Sequence, residues 1–124
     1  MIKQVKQMTN EKEGYNGWEN YETWAINLWI GNDEGEYEYW RDTAKKILKE
    51  EGGDRKEAKY TLASELKDHF EENAEEVLKE EWKVSAFSDL LRAALSEVNW
   101  SEIAEAQLEE IKDEVSEKAK RQRS

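Results

Sequence analysis

The sequence predicts an all-α protein, a compact bundle of about five helices around a short, Trp-rich N-terminal helix. Three observations carry that expectation. The chain has no proline to break a helix, and its six glycines fall in three clusters, Gly14/Gly17, Gly31/Gly35 and Gly52/Gly53. The segments between and beyond those clusters repeat apolar residues at offsets of three and four. A length of 124 residues suits one domain with a modest core, and 6 Trp, 5 Tyr and 2 Phe set the chain apart from disordered sequences despite a mean hydropathy of −1.09.

Residues 1–16, with Lys3, Lys6 and Lys12 among scattered Ile2, Val5 and Met8, are read as an N-terminal arm. A single helical domain then spans residues 17–120. Its first helix opens at Asn20, whose side chain can accept from the free N–H groups of the first turn, with Glu22 near the positive end of the helix dipole. Tyr21, Trp24, Ala25, Leu28 and Trp29 share one face, and that face is expected to be buried as a wedge between the other helices. Gly31-Asn32 stops the helix. The turn Asn32-Asp33-Glu34-Gly35 caps a second one reaching about Glu51, with Tyr37, Trp40, Ala44, Ile47 and Leu48 as its apolar stripe.

Gly52-Gly53 ends the second helix and Asp54 caps the third, which carries Ala58, Leu62, Leu66, Phe70, Ala74, Val77 and Leu78 along one side and acids along the other. Trp82 and Val84 fall in a break, with Ser85 as the cap of a fourth helix. There Phe87, Leu90, Leu91, Ala94, Leu95 and Val98 give the cleanest helical period in the chain. Asn99 and Glu102 have the spacing of a capping box and open a fifth helix, whose core side is Ile103, Ala104, Leu108, Ile111, Val115 and Ala119. Residues 121–124 form a frayed basic tail.

Charge narrows the function. With 19 Lys plus Arg against 30 Asp plus Glu, the formal charge is −11 and the sequence pI about 4.7. That balance argues against nucleic acid or an anionic membrane as a direct partner, since both reward Lys and Arg. The absence of cysteine excludes disulfides, thiolate metal sites and a thiol nucleophile. No apolar run approaches the length of a membrane span and the first residues lack a signal-peptide block, so a cytoplasmic protein is expected.

Catalytic patterns are sparse. His69 is the one histidine, and no strained turn presents a serine to it. Glu65 and Glu72 flank His69, but Leu66 holds the position that the Glu-x-x-His pair of a di-iron bundle requires. The carboxylate-rich loop from Gly31 to Gly35 would repel a phosphate, and it does not complete a calcium-loop pattern. Glu22, among aromatic residues, is the one candidate for acid–base chemistry, against the simpler role of pairing with the dipole or an indole N–H. Neither a metal nor a cofactor is expected, and the chain is read as a non-enzyme.

The run Gly17-Trp18-Glu19-Asn20-Tyr21-Glu22-Thr23-Trp24, followed by Leu28-Trp29-Ile30 and Asn32-Asp33, resembles the signature of a small family found in phage, plasmid and microbial genomes. A second likeness runs from Asp89-Leu90-Leu91 to Ala94-Leu95-Ser96-Glu97-Val98-Asn99-Trp100. The resemblance implies a mobile-element origin rather than a mechanism. Where members of that family commonly have Asn after the motif Trp, this chain has Ala25, with Asn27 two positions on.

What stands above background is the distribution of acids. Between Glu65 and Glu81 eight carboxylates face only Lys67 and Lys79, and between Glu102 and Lys118 seven face only Lys112 and Lys118. Asp68, Glu72, Glu75 and Glu76 share one helix face, and Glu102, Glu105, Glu109 and Asp113 share another. Like charges so placed disfavour a helix by a few tenths of a kcal/mol per pair. The expectation is an acidic binding protein whose two rows imitate nucleic acid and occupy a basic groove of a host nuclease or defence complex, as anti-restriction and anti-CRISPR proteins do. Trp82 or Tyr39 would supply apolar anchors. The alternative is an adaptor that binds a protein partner through an aromatic patch of Trp18, Tyr21 and Trp40.

Overall fold

A computed structural model of the chain describes residues 14–78 and 86–123, with side chains as far as Lys112. Five helices follow one another, with no strand among the described residues: α1 (Tyr21–Asn32), α2 (Glu34–Glu50), α3 (Arg55–Val77), α4 (Ala86–Ser96) and α5 (Trp100–Arg123). Trp82, Val84, Ser85, most of the N-terminal arm and the side chains of Asp113, Val115, Ala119 and the basic tail lie outside the described residues.

The helix starts are set by short side chains that accept from the first turn. Asn20 accepts from the Thr23 N–H at 2.9 Å, Asp33 from Glu36 at 3.0 Å, Asp54 from Glu57 at 3.2 Å and Asn99 from Glu102 at 3.1 Å. Gly52 (φ 67°) and Gly53 (φ 83°) end α2 in the left-handed region, returning their N–H groups to the Lys49 and Leu48 carbonyls. Ahead of α1, Asn16 (φ 47°) and Gly17 (φ 88°) make a two-residue turn closed by reciprocal bonds of 2.7 and 2.8 Å between Tyr15 and Trp18. Gly14 lies so close to that turn that a Cβ there would sit 1.8 Å from the Trp18 carbonyl oxygen.

The core is shared by α1, α2, α3 and α5. Ile30, Trp40, Ala44, Ile47, Ala58, Leu62, Leu66, Ile103, Ala104, Leu108 and Ile111 are all buried in one cluster. Packing is most extensive between α3 and α5; α2 lies across both, and α1 rests on α2 and α5. Each large side chain so buried contributes about 1.5–3 kcal/mol of hydrophobic stabilisation. Trp40, at 1% exposure, is the largest of them.

Two helices depart from the face their periodicity favours, α1 wholly and α4 at its first turn. In α1 the buried residues are Thr23 and Ile30, with Ile26 packed on the core, while Tyr21 and Leu28 are exposed and Trp29 is 70% exposed. The helix is apolar on both sides, so period alone cannot choose between them. In α4 Ser88 is buried and Leu95 packs on the core, whereas Phe87 and Leu90 are mostly exposed. Val77, in the last turn of α3, is also exposed.

Candidate functional site: a helix-start clasp and an acidic cleft

The signature residues fall into two groups once their contacts are traced. The polar ones knit the start of α1 to the start of α5. Asn20 accepts from both the backbone N–H and, at 2.6 Å, the hydroxyl of Thr23, and its own amide donates to the Glu97 carbonyl at 2.6 Å. Thr23 is fully buried, and its hydroxyl oxygen accepts the Asn99 N–H at 2.8 Å. Asn99 in turn donates through its amide to Glu19 Oε1 at 2.7 Å, and the Glu19 N–H donates to Glu102 Oε1 at 3.0 Å.

The Asn99–Glu102 capping box is therefore only half made within its own helix. Asn99 does accept from the Glu102 N–H, but the reciprocal bond is replaced: Thr23 takes the Asn99 N–H and Glu19 takes the Glu102 carboxylate. Two helix N-termini, each the positive end of a dipole, are brought side by side with two carboxylates between them.

The aromatic signature residues point away from this clasp. Tyr15, Tyr21 and Trp24 form a cluster with ring centroids 4.9–5.5 Å apart, and Trp29 continues the outer face of α1. A patch of Trp18, Tyr21 and Trp40 is not assembled, because Trp40 is in the core, donating its indole N–H to Glu36 at 3.1 Å, and Trp18 is half-buried against that core. Tyr39 lies exposed on α2. Asp33 caps α2 while Asn32 is exposed, and Glu22 is half-buried on the flank of α1 without a hydrogen bond to an indole among the described residues.

The two acidic rows are differently employed. On α5, Glu105 and Glu109 grip Arg55 at 2.6 and 2.7 Å, Lys59 approaches Glu105 at 3.9 Å, Lys112 reaches Glu109 at 3.4 Å, and Glu102 belongs to the clasp. Hydrogen bonds from Arg55 and then Lys112 hold the Glu109 carboxyl below its ordinary pKa, and Glu109 and Glu105 together raise that of Arg55. Glu110, which no sequence pattern singles out, binds Arg41 at 3.0 Å and accepts from the Tyr37 hydroxyl, raising the Tyr37 pKa. The pairings of Arg55 with Glu105 and Glu109 and of Arg41 with Glu110 join residues 50 or more positions apart, so no local pattern announces them.

On α3 the acids remain on the surface. Asp68, Glu71, Glu72 and Glu75 line a cleft of about 450 Å³ between α3 and α4, closed by Ala74, Arg92 and Leu95. Arg92 meets Glu75 at 3.1 Å and donates to the buried Ser88 hydroxyl. Asp68, Glu71, Glu72 and Glu76 form no ion pair among the described residues. The cleft thus unites Asp68, Glu72 and Glu75 with Glu71, an acid of the same run that the expected row left out, and with Arg92, which sequence reasoning misses because only α4's placement brings it across; Glu76 stands exposed outside the lining.

His69 is half-buried rather than fully solvated. It lies between Tyr39 and Trp40 of α2 and Phe70, with Asn73 Nδ2 at 3.0 Å and Glu36 Oε1 at 3.9 Å from its Nε2. Among the described residues no group of three His, Asp or Glu side chains is placed to hold a metal ion, and no helix is long and apolar enough to cross a membrane.

Fold and surfaces together define a small all-helical domain whose signature joins helix starts and whose α3 carries a row of carboxylates along a cleft. The chain belongs to the Family of unknown function (DUF7249), which matches residues 10–121. No curated protein and no solved structure matches it.

Proposed function

We propose that this protein is an acidic, non-enzymatic binding protein that offers the carboxylate side of α3 to a basic cleft of a partner and so keeps nucleic acid out of it. The observation that carries the reading is the contrast in ion pairing: Asp68, Glu71, Glu72 and Glu76 lack a counter-ion among the described residues, whereas Glu105 and Glu109 are held by Arg55. Carboxylates held in rows on a rigid helix suit charge-assisted bonds to Arg and Lys. The sign of the charge supports imitation of nucleic acid more than its spacing does.

The mobile-element origin implied by the signature directs the proposal to a nuclease or defence complex of the host, in the manner of anti-restriction and anti-CRISPR proteins. Cytoplasmic action follows from that choice of partner. The test is a pull-down from host lysate at low and high salt, with the captured proteins identified by mass spectrometry and challenged with duplex DNA. A nucleic-acid-binding protein should be retained at low salt, released at high salt and displaced by DNA. A joint Asp68→Lys, Glu72→Lys, Glu76→Lys variant should lose it. Retention of that partner by the charge-reversed protein with undiminished affinity would remove the α3 face from the mechanism.

A further inference from the structure

The outer side of α1 is used neither by the clasp nor by the acidic cleft, and its composition is unlike the rest of the surface. Charged residues make up 40% of the chain, yet α1 carries a single one, Glu22, in its 12 residues. Its inner side, Thr23, Ile26 and Ile30, already supplies the core. Its outer side presents Tyr21 at 55%, Leu28 at 38% and Trp29 at 70% exposure, with Tyr15 beside Tyr21. A helix apolar all round is normally covered all round.

We infer that the outer face of α1 pairs with the same face of a second copy of this chain, the two helices crossing antiparallel about a two-fold axis near Ala25. The stripe is self-complementary in the way such an axis requires. Ala25, the smallest side chain of the stripe, lies midway between Tyr21 and Trp29, so a crossing there brings backbones close and sets Tyr21 of each copy towards Trp29 of the other. The exposed portions of Tyr15, Tyr21, Leu28 and Trp29 with the flanking half-buried Trp24 offer at most about 500 Å² per copy, or on the order of 1,000 Å² for a pair, the lower edge of a specific interface. This is enough for a reversible dimer.

Charge disfavours a foreign basic protein on this face and confines any contact between copies to it. Each chain carries −11, so two copies repel at long range and can meet only where the surface is uncharged. The outer face of α1 is such a strip, with Glu22 at its rim. A basic partner would gain little there and much more on α3. The dimer should therefore tighten as salt screens the repulsion, the reverse of the salt response expected of the α3 face.

Sedimentation velocity of the full chain, from low to high micromolar concentration and at low and high salt, tests the inference. A concentration-dependent monomer–dimer equilibrium that strengthens several-fold with salt is expected. Trp29→Ser and Ala25→Glu should each raise the dimer Kd by about tenfold or more, consistent with loss of a central contact, with far-UV circular dichroism unchanged. Leu90→Ser, on the exposed side of α4, should leave the Kd as it is. A chain that stays monomeric at every concentration and salt overturns the proposal, whether the face is bare or covered by residues 1–13. So does a dimer indifferent to Trp29→Ser, or one abolished by Leu90→Ser.

Discussion

The acidic residues of α3 and α5 are alike in number and helical spacing but opposite in use. On α5 they are ligands for the rest of the bundle: Glu102 accepts from Glu19, Glu105 and Glu109 share Arg55, and Glu110 binds Arg41 and Tyr37. On α3 four of them line an open cleft, with Arg92 across it. Composition can say how much negative charge a helix carries. Whether that charge holds the fold or faces outward depends on which cations the packing brings opposite.

The strongest way to break this contrast is at the start of α5. Thr23→Val leaves the Asn99 N–H without its buried acceptor, and a loss of about 1–3 kcal/mol is expected in urea unfolding. An unchanged unfolding midpoint would mean that the clasp does not hold the two helix starts together. Arg55→Gln comes next. It leaves Glu105 and Glu109 as neighbouring like charges, so the melting temperature should fall, and fall less in high salt, where that repulsion is screened.

Titration sharpens the comparison further. Arg55 holds the folded-state pKa of Glu109 below its ordinary 4.5, so the stabilisation is complete above that value and is lost as pH falls through the lowered one. Thermal melts of the parent should therefore show an acid-side loss that is reduced in Arg55→Gln. Tyr37 behaves in the opposite sense. Its bond to Glu110 raises its pKa above 10.0, so that contribution is present below 10.0 and disappears as pH rises through the raised value; Tyr37→Phe should flatten the alkaline arm. The smallest effect belongs to α3. Replacing Asp68, Glu72 and Glu76 together by Gln should shift stability by no more than about 0.5 kcal/mol, towards greater stability as helix-surface repulsion is relieved. A large loss there would mean that the α3 acids, like those of α5, hold the bundle together.

Much of the architecture was legible because helix starts are local. Asn20, Asp33, Asp54 and Asn99 each cap a helix at the position their short polar side chains indicated, and Gly52-Gly53 ends α2 with the backbone geometry glycine allows. The stripe of α2 also held, with Trp40, Ala44 and Ile47 buried. Periodicity failed on α1, where it identified a shared face correctly but a second apolar face, anchored by buried Thr23, is the one that packs. The acid rows were visible as rows. Their division between α3 and α5 was not, because Arg55 and Arg92 acquire their partners only through tertiary packing. The aromatic patch failed for a related reason, since Trp18 and Trp40 are drawn to the core while Tyr21 stays outside.

The clasp also has a consequence for how the chain is made. Asn20 and the Glu97 carbonyl are joined across 77 positions, so the most distinctive stretch of the sequence leaves the ribosome long before the groups that secure it exist. At about 5–20 residues per second the wait is on the order of 4–15 s. During that interval α1 can pack on α2 but lacks its α5 partner and keeps its outer apolar side uncovered, and slowing translation between residues 23 and 97 should increase recovery of the nascent protein in chaperone complexes.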